Sequence, residues 1–147
     1  MWTVEHSLLT RASPEAIRRL FEDVAGWPEW NAGAEWVELD GPFAAGTTGR
    51  MKVPGQDPLD FRLIWVGPDG FEDETPIPGA AVVVRVRHTI ESLDGGRARI
   101  VYRATIDGPG ADELGPVIGP QVTGDFPDVL SALVAWAEAA PAEAAPA

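Results

Sequence analysis

The chain contains two histidines, one tyrosine and no cysteine, so acid–base or nucleophilic chemistry must come from very few side chains. His6 falls in the alternating stretch "TVEHSLLT", and His88 and Tyr102 in the longer "AVVVRVRHTIESL" and "RARIVYRATID". In each stretch the polar residue keeps the phase of the apolar ones, which puts all three on one face of a sheet. A histidine of near-neutral pKa in an apolar hollow can shuttle a proton while a tyrosine hydroxyl polarises a carbonyl. His88 and Tyr102 are therefore the candidate catalytic pair, with His6 or a nearby carboxylate such as Asp73 in reserve. The competing reading is that His88 and Tyr102 hydrogen-bond each other inside a packed core.

Other chemistries lack their residues. Without cysteine there is no thiolate nucleophile, disulfide or cysteine zinc site. A histidine-based metal site would have to borrow carboxylates. No HExxH, GxSxG or Walker A pattern occurs. "GTTGRMK" lacks the Gly-Lys-Ser/Thr ending of a phosphate loop, and "GPGADELG" is not a dinucleotide fingerprint. No metal and no cofactor is expected. A net charge of −12 argues against binding nucleic-acid backbones or anionic lipid surfaces, which need concentrated positive charge. The start "MWTVEHSLLT" shows no signal-peptide pattern, and no apolar run reaches the roughly 20 residues of a membrane span. A cytoplasmic protein, monomeric or weakly dimeric, is expected.

The elements that must position the candidates can be read in order. Thr3 to Thr10 alternates as a strand. Ser13 is a natural N-cap and Pro14 suits the first turn of a helix carrying Ala16, Ile17, Leu20 and Phe21. Gly26 and Pro28 interrupt it, yet Trp27 and Trp30 follow at once. From Gly33 almost to residue 107 the period is two, with turn signals at Asp40-Gly41-Pro42, Pro54-Gly55 and Pro68-Asp69-Gly70.

The last hairpin can be registered. A two-residue loop at Gly95-Gly96 would set inward His88 opposite outward Arg103, which the period-two rule forbids. A three-residue loop, Asp94-Gly95-Gly96, pairs Leu93 with Arg97, His88 with Tyr102, Ile90 with Ile100 and Val86 with Ala104. Arg87, Arg99 and Arg103 then face outward among Glu5, Glu74 and Glu91, a solvated charge ladder with no assigned function. The inward face gathers Met51, Leu59, Phe61, Leu63, Trp65 and Val86 around the polar residues.

Residues 114–137 carry a broad helical apolar stripe that includes Val117 and Ile118. Pro120 is expected to kink or break it, with a firm helix from about Asp125 to Ala139. This stripe is the only element large enough to cover a curved antiparallel sheet, so the fold class is α+β. One domain over residues 1–140 and a low-complexity tail over 141–147 are expected. The surplus of aromatics, with small Gly115 and Gly119 on the covering segment, points to a cavity between helix and sheet.

The order of elements, together with "ASPEAIRRLFEDVAGWPEWN", "VELDGPFAAGTTGRMK", "HTIESLDGG" and "LSALVAWAE", resembles the START-like, or SRPBCC, superfamily. The similarity is greatest to its bacterial polyketide cyclase/dehydrase and lipid-transport subgroup. The resemblance implies a helix-grip fold: about seven antiparallel strands wrapped around a long C-terminal helix, with two short helices after the first strand. It also implies a tunnel for a hydrophobic or aromatic small molecule, lipid- or polyketide-like. The expected ligand-binding residues are His6, Trp27, Trp30, Met51, Phe61, Leu63, Trp65, Val86, His88, Tyr102, Val117 and Ile118. A carrier, a cyclase or dehydrase, and a co-chaperone-like interaction module are all compatible with the resemblance.

Overall fold

The computed structural model describes residues 1–139; the tail expected over 141–147 lies outside the described residues. The alternating segments form seven strands: β1 (Trp2–Thr10), β2 (Trp36–Leu39), β3 (Thr48–Lys52), β4 (Leu59–Gly67), β5 (Gly70–Pro76), β6 (Val83–Ser92) and β7 (Ala98–Asp107). They make one antiparallel sheet in the order β1-β7-β6-β5-β4-β3-β2. Helices α1 (Pro14–Glu22) and α2 (Trp27–Trp30) follow β1, and α3 (Ala111–Thr123) and α4 (Phe126–Ala139) close the chain. This is the helix-grip arrangement. Among the described residues, no helix is long and apolar enough to cross a membrane.

The expected register of the last hairpin is observed: His88 opposes Tyr102, Ile90 opposes Ile100, and Val86 opposes Ala104. Gly95 and Gly96 both adopt the left-handed region (φ +76° and +75°), which glycine enters without steric cost. Leu93 N–H closes the loop on the Arg97 carbonyl at 2.8 Å. On the outer face the like-charged opposition of Arg87 and Arg103 is relieved by Glu72, which pairs with Arg87 at 3.0 Å. Glu74 bridges Arg62 and Arg85 at 3.1 and 2.9 Å.

Strand β4 departs from strict alternation. Leu63 opposes Asp73 but Trp65 opposes Glu72, so Ile64 is the extra residue of a β-bulge, which exchanges the faces of everything beyond it. Trp65 consequently stands on the outer face, where the Arg87 guanidinium lies 4.1 Å from its ring centre. Val66, opposite Phe71, takes the inward place.

α1 begins as its sequence requires: Ser13 Oγ accepts the Ala16 N–H at 3.2 Å. α1 packs on α4 and β6, α3 on β1 and β7, and α4 on β1. The far end of α4 is tied to β1, because the Glu138 carboxylate accepts the Thr10 hydroxyl at 2.8 Å and the Arg11 N–H at 3.1 Å. Of the expected kink or break at Pro120, the break does not occur: α3 runs through both Pro116 and Pro120. Both prolines are exposed, and the carbonyls that lose an amide partner to them belong to Asp112 and Pro116, exposed residues where water can take the place of the missing donor. The break comes instead at Gly124–Asp125. Gly115 and Gly119 do not leave space either. They are buried against the Trp2 ring, and a Cβ at Gly115 would lie 2.6 Å from the Trp2 Cβ.

Candidate functional site

A cavity of about 330 Å³ remains between the sheet and the helices, near the lower end of the range usual for small-molecule sites. Its buried wall includes Phe71, His88 and Tyr102, and exposed Gln56 and Gln121 mark where it meets solvent.

Alternation on β5 turns Phe71, Asp73 and Thr75 inward while Glu72 and Glu74 stay in the outer charge ladder. β6 and β7 place His88 and Tyr102 side by side. The aromatic rings form a continuous series. Trp27 stacks on Phe71 with centroids 5.4 Å apart, and Phe71 stacks on His88 at 4.0 Å and 10°. The edge contacts continue from His88 to Tyr102 at 4.5 Å, to Phe126 at 5.5 Å and to His6 at 6.1 Å. Offset and edge-on contacts of this kind contribute beyond simple burial.

Trp27 and Trp30 are 6% and 5% exposed, and both border the cavity. A broken helix suffices to place them because Trp27 Nε1 donates to the Phe21 carbonyl at 3.0 Å, anchoring one ring against α1. With Met51, Val86, His88, Tyr102 and Ile118 they are the predicted residues that the fold brings together.

Five others are placed elsewhere. Trp65 is outside because of the bulge. Leu63 is fully buried in the core. Phe61 covers Gly49, where a Cβ would meet its Cζ at 2.8 Å. Val117 is 56% exposed, since Gly115 and Gly119 turn the opposite side of α3 to the sheet. His6 has the right face but is one strand too far out, and Phe126 packs against it. The sequence reading missed Phe71, Phe126 and Asp125, which also line the space. For Phe71 the signal was present, as "FEDET" alternates in phase with Asp73.

His88 and Tyr102 touch but do not hydrogen-bond. Among the described residues neither His88 Nδ1 nor Tyr102 Oη, both buried, has a hydrogen-bond partner, so the expected satisfied core pair is not formed. Leaving such atoms unpaired costs about 1–3 kcal/mol each. A ligand supplying complementary groups would recover that cost.

Burial sets the protonation states. It lowers His88 from 6.5 to about 3, so the ring is neutral and a weak base, not the near-neutral shuttle expected from its type. Burial, assisted by the Glu72 charge, raises Asp73 from 3.8 to about 7. The Tyr102 hydroxyl is pushed well above its ordinary value by burial and by the Asp73 charge. Asp125 is also raised, chiefly by burial. Asp73 is thus the group poised to exchange a proton near neutrality. Among the described residues, no cluster of carboxylates and histidines is arranged to hold a metal.

These shifts predict a pH profile. Between pH 3.8 and 6.5 the folded chain holds a proton on Asp73 that the unfolded chain lacks, and lacks one on His88 that the unfolded chain holds. The first makes stability fall as pH rises through that window, the second makes it rise, and the two oppose each other. Asp73→Asn leaves only the His88 contribution. Its unfolding free energy should therefore drop more steeply than that of the wild type as pH falls from 6.5. Urea denaturation across the window checks this, and parallel profiles would contradict the assignment.

The family model described as polyketide cyclase/dehydrase and lipid transport matches residues 1–138. Among solved structures, the Zhui aromatase/cyclase from Streptomyces sp. R1128 superposes with a TM-score of 0.79 at 18% identity, over 99% of this chain and 98% of that one. Norcoclaurine synthase from Thalictrum flavum gives a TM-score of 0.69 at 18% identity, over 90% of this chain and 83% of that one. It has also been solved in complex with dopamine and hydroxybenzaldehyde. Identities this low speak for a shared fold alone. No curated protein sequence matches the chain. Because the family match runs through all seven strands and every residue bordering the cavity, the chain belongs to the polyketide cyclase/dehydrase and lipid-transport family, within the SRPBCC superfamily.

Proposed function

We propose that the protein binds a compact hydrophobic or aromatic small molecule between the sheet and α3–α4. The observation that carries this reading is the unpartnered pair, His88 Nδ1 and Tyr102 Oη, set in the apolar wall of the cavity. A packed core would not leave both atoms unsatisfied, whereas a ligand site uses a few polar groups to orient an apolar guest. The size of the space favours a molecule of one or two rings over a long acyl chain. Trp27, Trp30, Met51, Val86, His88, Tyr102 and Ile118 are the proposed contacts. The protein is proposed to act as a monomer or weak homodimer, with no nucleic-acid partner.

Native mass spectrometry of the freshly purified chain should reveal a co-purified small molecule. Titration with apolar aromatics should quench tryptophan emission from Trp27 and Trp30. Val86→Trp, which puts bulk into the cavity, should weaken that binding by about tenfold or more while the fold persists. Wild-type protein that neither carries nor binds any such molecule would refute the reading.

Asp73 supports a second reading, a cyclase or dehydrase in which it serves as proton acceptor and Tyr102 polarises a carbonyl. Its carboxyl is raised to about 7, where a general base is most effective near neutral pH. His88 would orient the substrate through Nδ1. Unchanged turnover of a confirmed substrate by His88→Ala and Tyr102→Phe would eliminate this chemistry.

A further inference from the structure

The charge that the groups bordering the cavity supply is negative. Asp73 lies in its wall and Asp125 at the α3–α4 junction, and no lysine or arginine is among the bordering residues. The nearest arginines by strand pairing are committed to the outer face: Arg85 to Glu74, and Arg87 to Glu72 and the Trp65 ring. His88, the one bordering group able to become cationic, is held neutral by its burial. Tyr102, only 3% exposed, presents an Oη with no partner among the described residues. Both this hydroxyl and the Asp73 carboxyl border the cavity.

Each class of apolar ligand would fare differently here. A carboxylate or phosphate would be desolvated beside Asp73 and Asp125 with no cation to meet it, which is strongly unfavourable. A neutral ligand would gain nothing from the Asp73 charge, and beside it the carboxyl can keep its proton. A protonated amine would supply a counter-charge to Asp73 and a donor to Tyr102 Oη, with its apolar body against Phe71, Trp27 and Val86. The net charge of −12 would also concentrate cations near the protein.

We infer that the cavity selects a compact apolar amine, bound as its ammonium with the charge paired to Asp73 and the hydrocarbon against the Phe71–Trp27 wall. This rests on the cavity being a small-molecule site. Asp73 is paired with Leu63 of β4 and Val86 of β6, with Glu72 adjacent in the chain, while Tyr102, His88 and Asp125 share the cavity with it. None of them supplies a competing positive charge.

Three probes of similar size and different charge test the inference: 2-phenylethylamine, 2-phenylethanol and phenylacetate. Each is titrated into the full chain at pH 7.5, with tryptophan emission and heat as readouts. The amine should bind at least about tenfold more tightly than the alcohol, and the acid most weakly. The amine should also bind more tightly at pH 8 than at pH 6, because the Asp73 proton must leave. In Asp73→Asn the amine's advantage should vanish while the alcohol still binds. Equal or tighter binding of the alcohol or the acid to the wild type would overturn the inference yet leave the cavity reading standing. Failure of all three probes would overturn both. The wild-type series decides the matter even if the variant does not fold, and an intact amine preference in a folded Asp73→Asn would also overturn it.

Discussion

Phe71→Ala is expected to lower the unfolding free energy by about 3–5 kcal/mol, the range for deleting a buried aromatic ring from a core that relaxes only partly. Phe71 is 1% exposed and is the hub of the ring series. Besides the His88 and Trp27 stacks, it receives the edges of Phe21 at 5.1 Å and Phe43 at 5.3 Å. Its loss would remove apolar contact on every side and leave His88 with a free face. The ring also borders the cavity, so the hole left by alanine would merge with that space. The folded fraction should therefore accept bulkier aromatic probes than the wild type does. Urea denaturation and probe titration measure the two effects. A loss below about 1 kcal/mol would mean that the stack is not what holds this wall in place.

Gly70→Ala should be comparably damaging for a different reason. Gly70 sits at φ +154°, and a Cβ there would collide with the His88 carbonyl oxygen and lie 3.0 Å from the Thr89 Cα. Those atoms belong to backbone that cannot rotate away. Relief requires β5 to part from β6 where Phe71 meets His88, at a cost of about 3 kcal/mol or more from strain and overpacking together. Gly55→Ala is the control. Gly55 also has positive φ (+77°), but a Cβ there would meet nothing within 4 Å, so its substitution should cost only about 1 kcal/mol. Equal costs at the two sites would show that the collision is not the cause. Ligand quenching should be lost in Gly70→Ala and kept in Gly55→Ala.

How far the sequence could be read depended on whether one rule governed a segment. The β6–β7 hairpin obeys alternation throughout, and only one loop length keeps both faces consistent, so the facing of His88 and Tyr102 was legible. The start of α1 was legible as well, because Ser13 and Pro14 act locally. Trp65 was misplaced because a bulge leaves no mark in composition: Ile64 is an ordinary strand residue, and only its partner strand reveals it as surplus. Gly115 and Gly119 suggest empty space by their size alone, yet glycine serves equally to admit a large neighbour, here Trp2. The prolines of α3 were weighed by their usual effect in a buried helix, whereas both lie on the solvent side. For His88, residue type alone indicated a proton shuttle; the density of rings around it makes it neutral. No local pattern carries that information.

The order of the strands also bears on how the molecule assembles. Among the described residues β1 lies at a sheet edge and pairs only with β7, Trp2 opposite Ile106 and Thr10 opposite Ala98. During synthesis the first strand must therefore wait, its hydrogen-bonding groups unmatched, until nearly the last strand has emerged. Closing so long a stretch of chain places refolding in the slow class, on the order of milliseconds to seconds. β4, β5 and β6, each next to its neighbour in the chain, can pair in advance and offer the scaffold onto which β7 and then β1 are added.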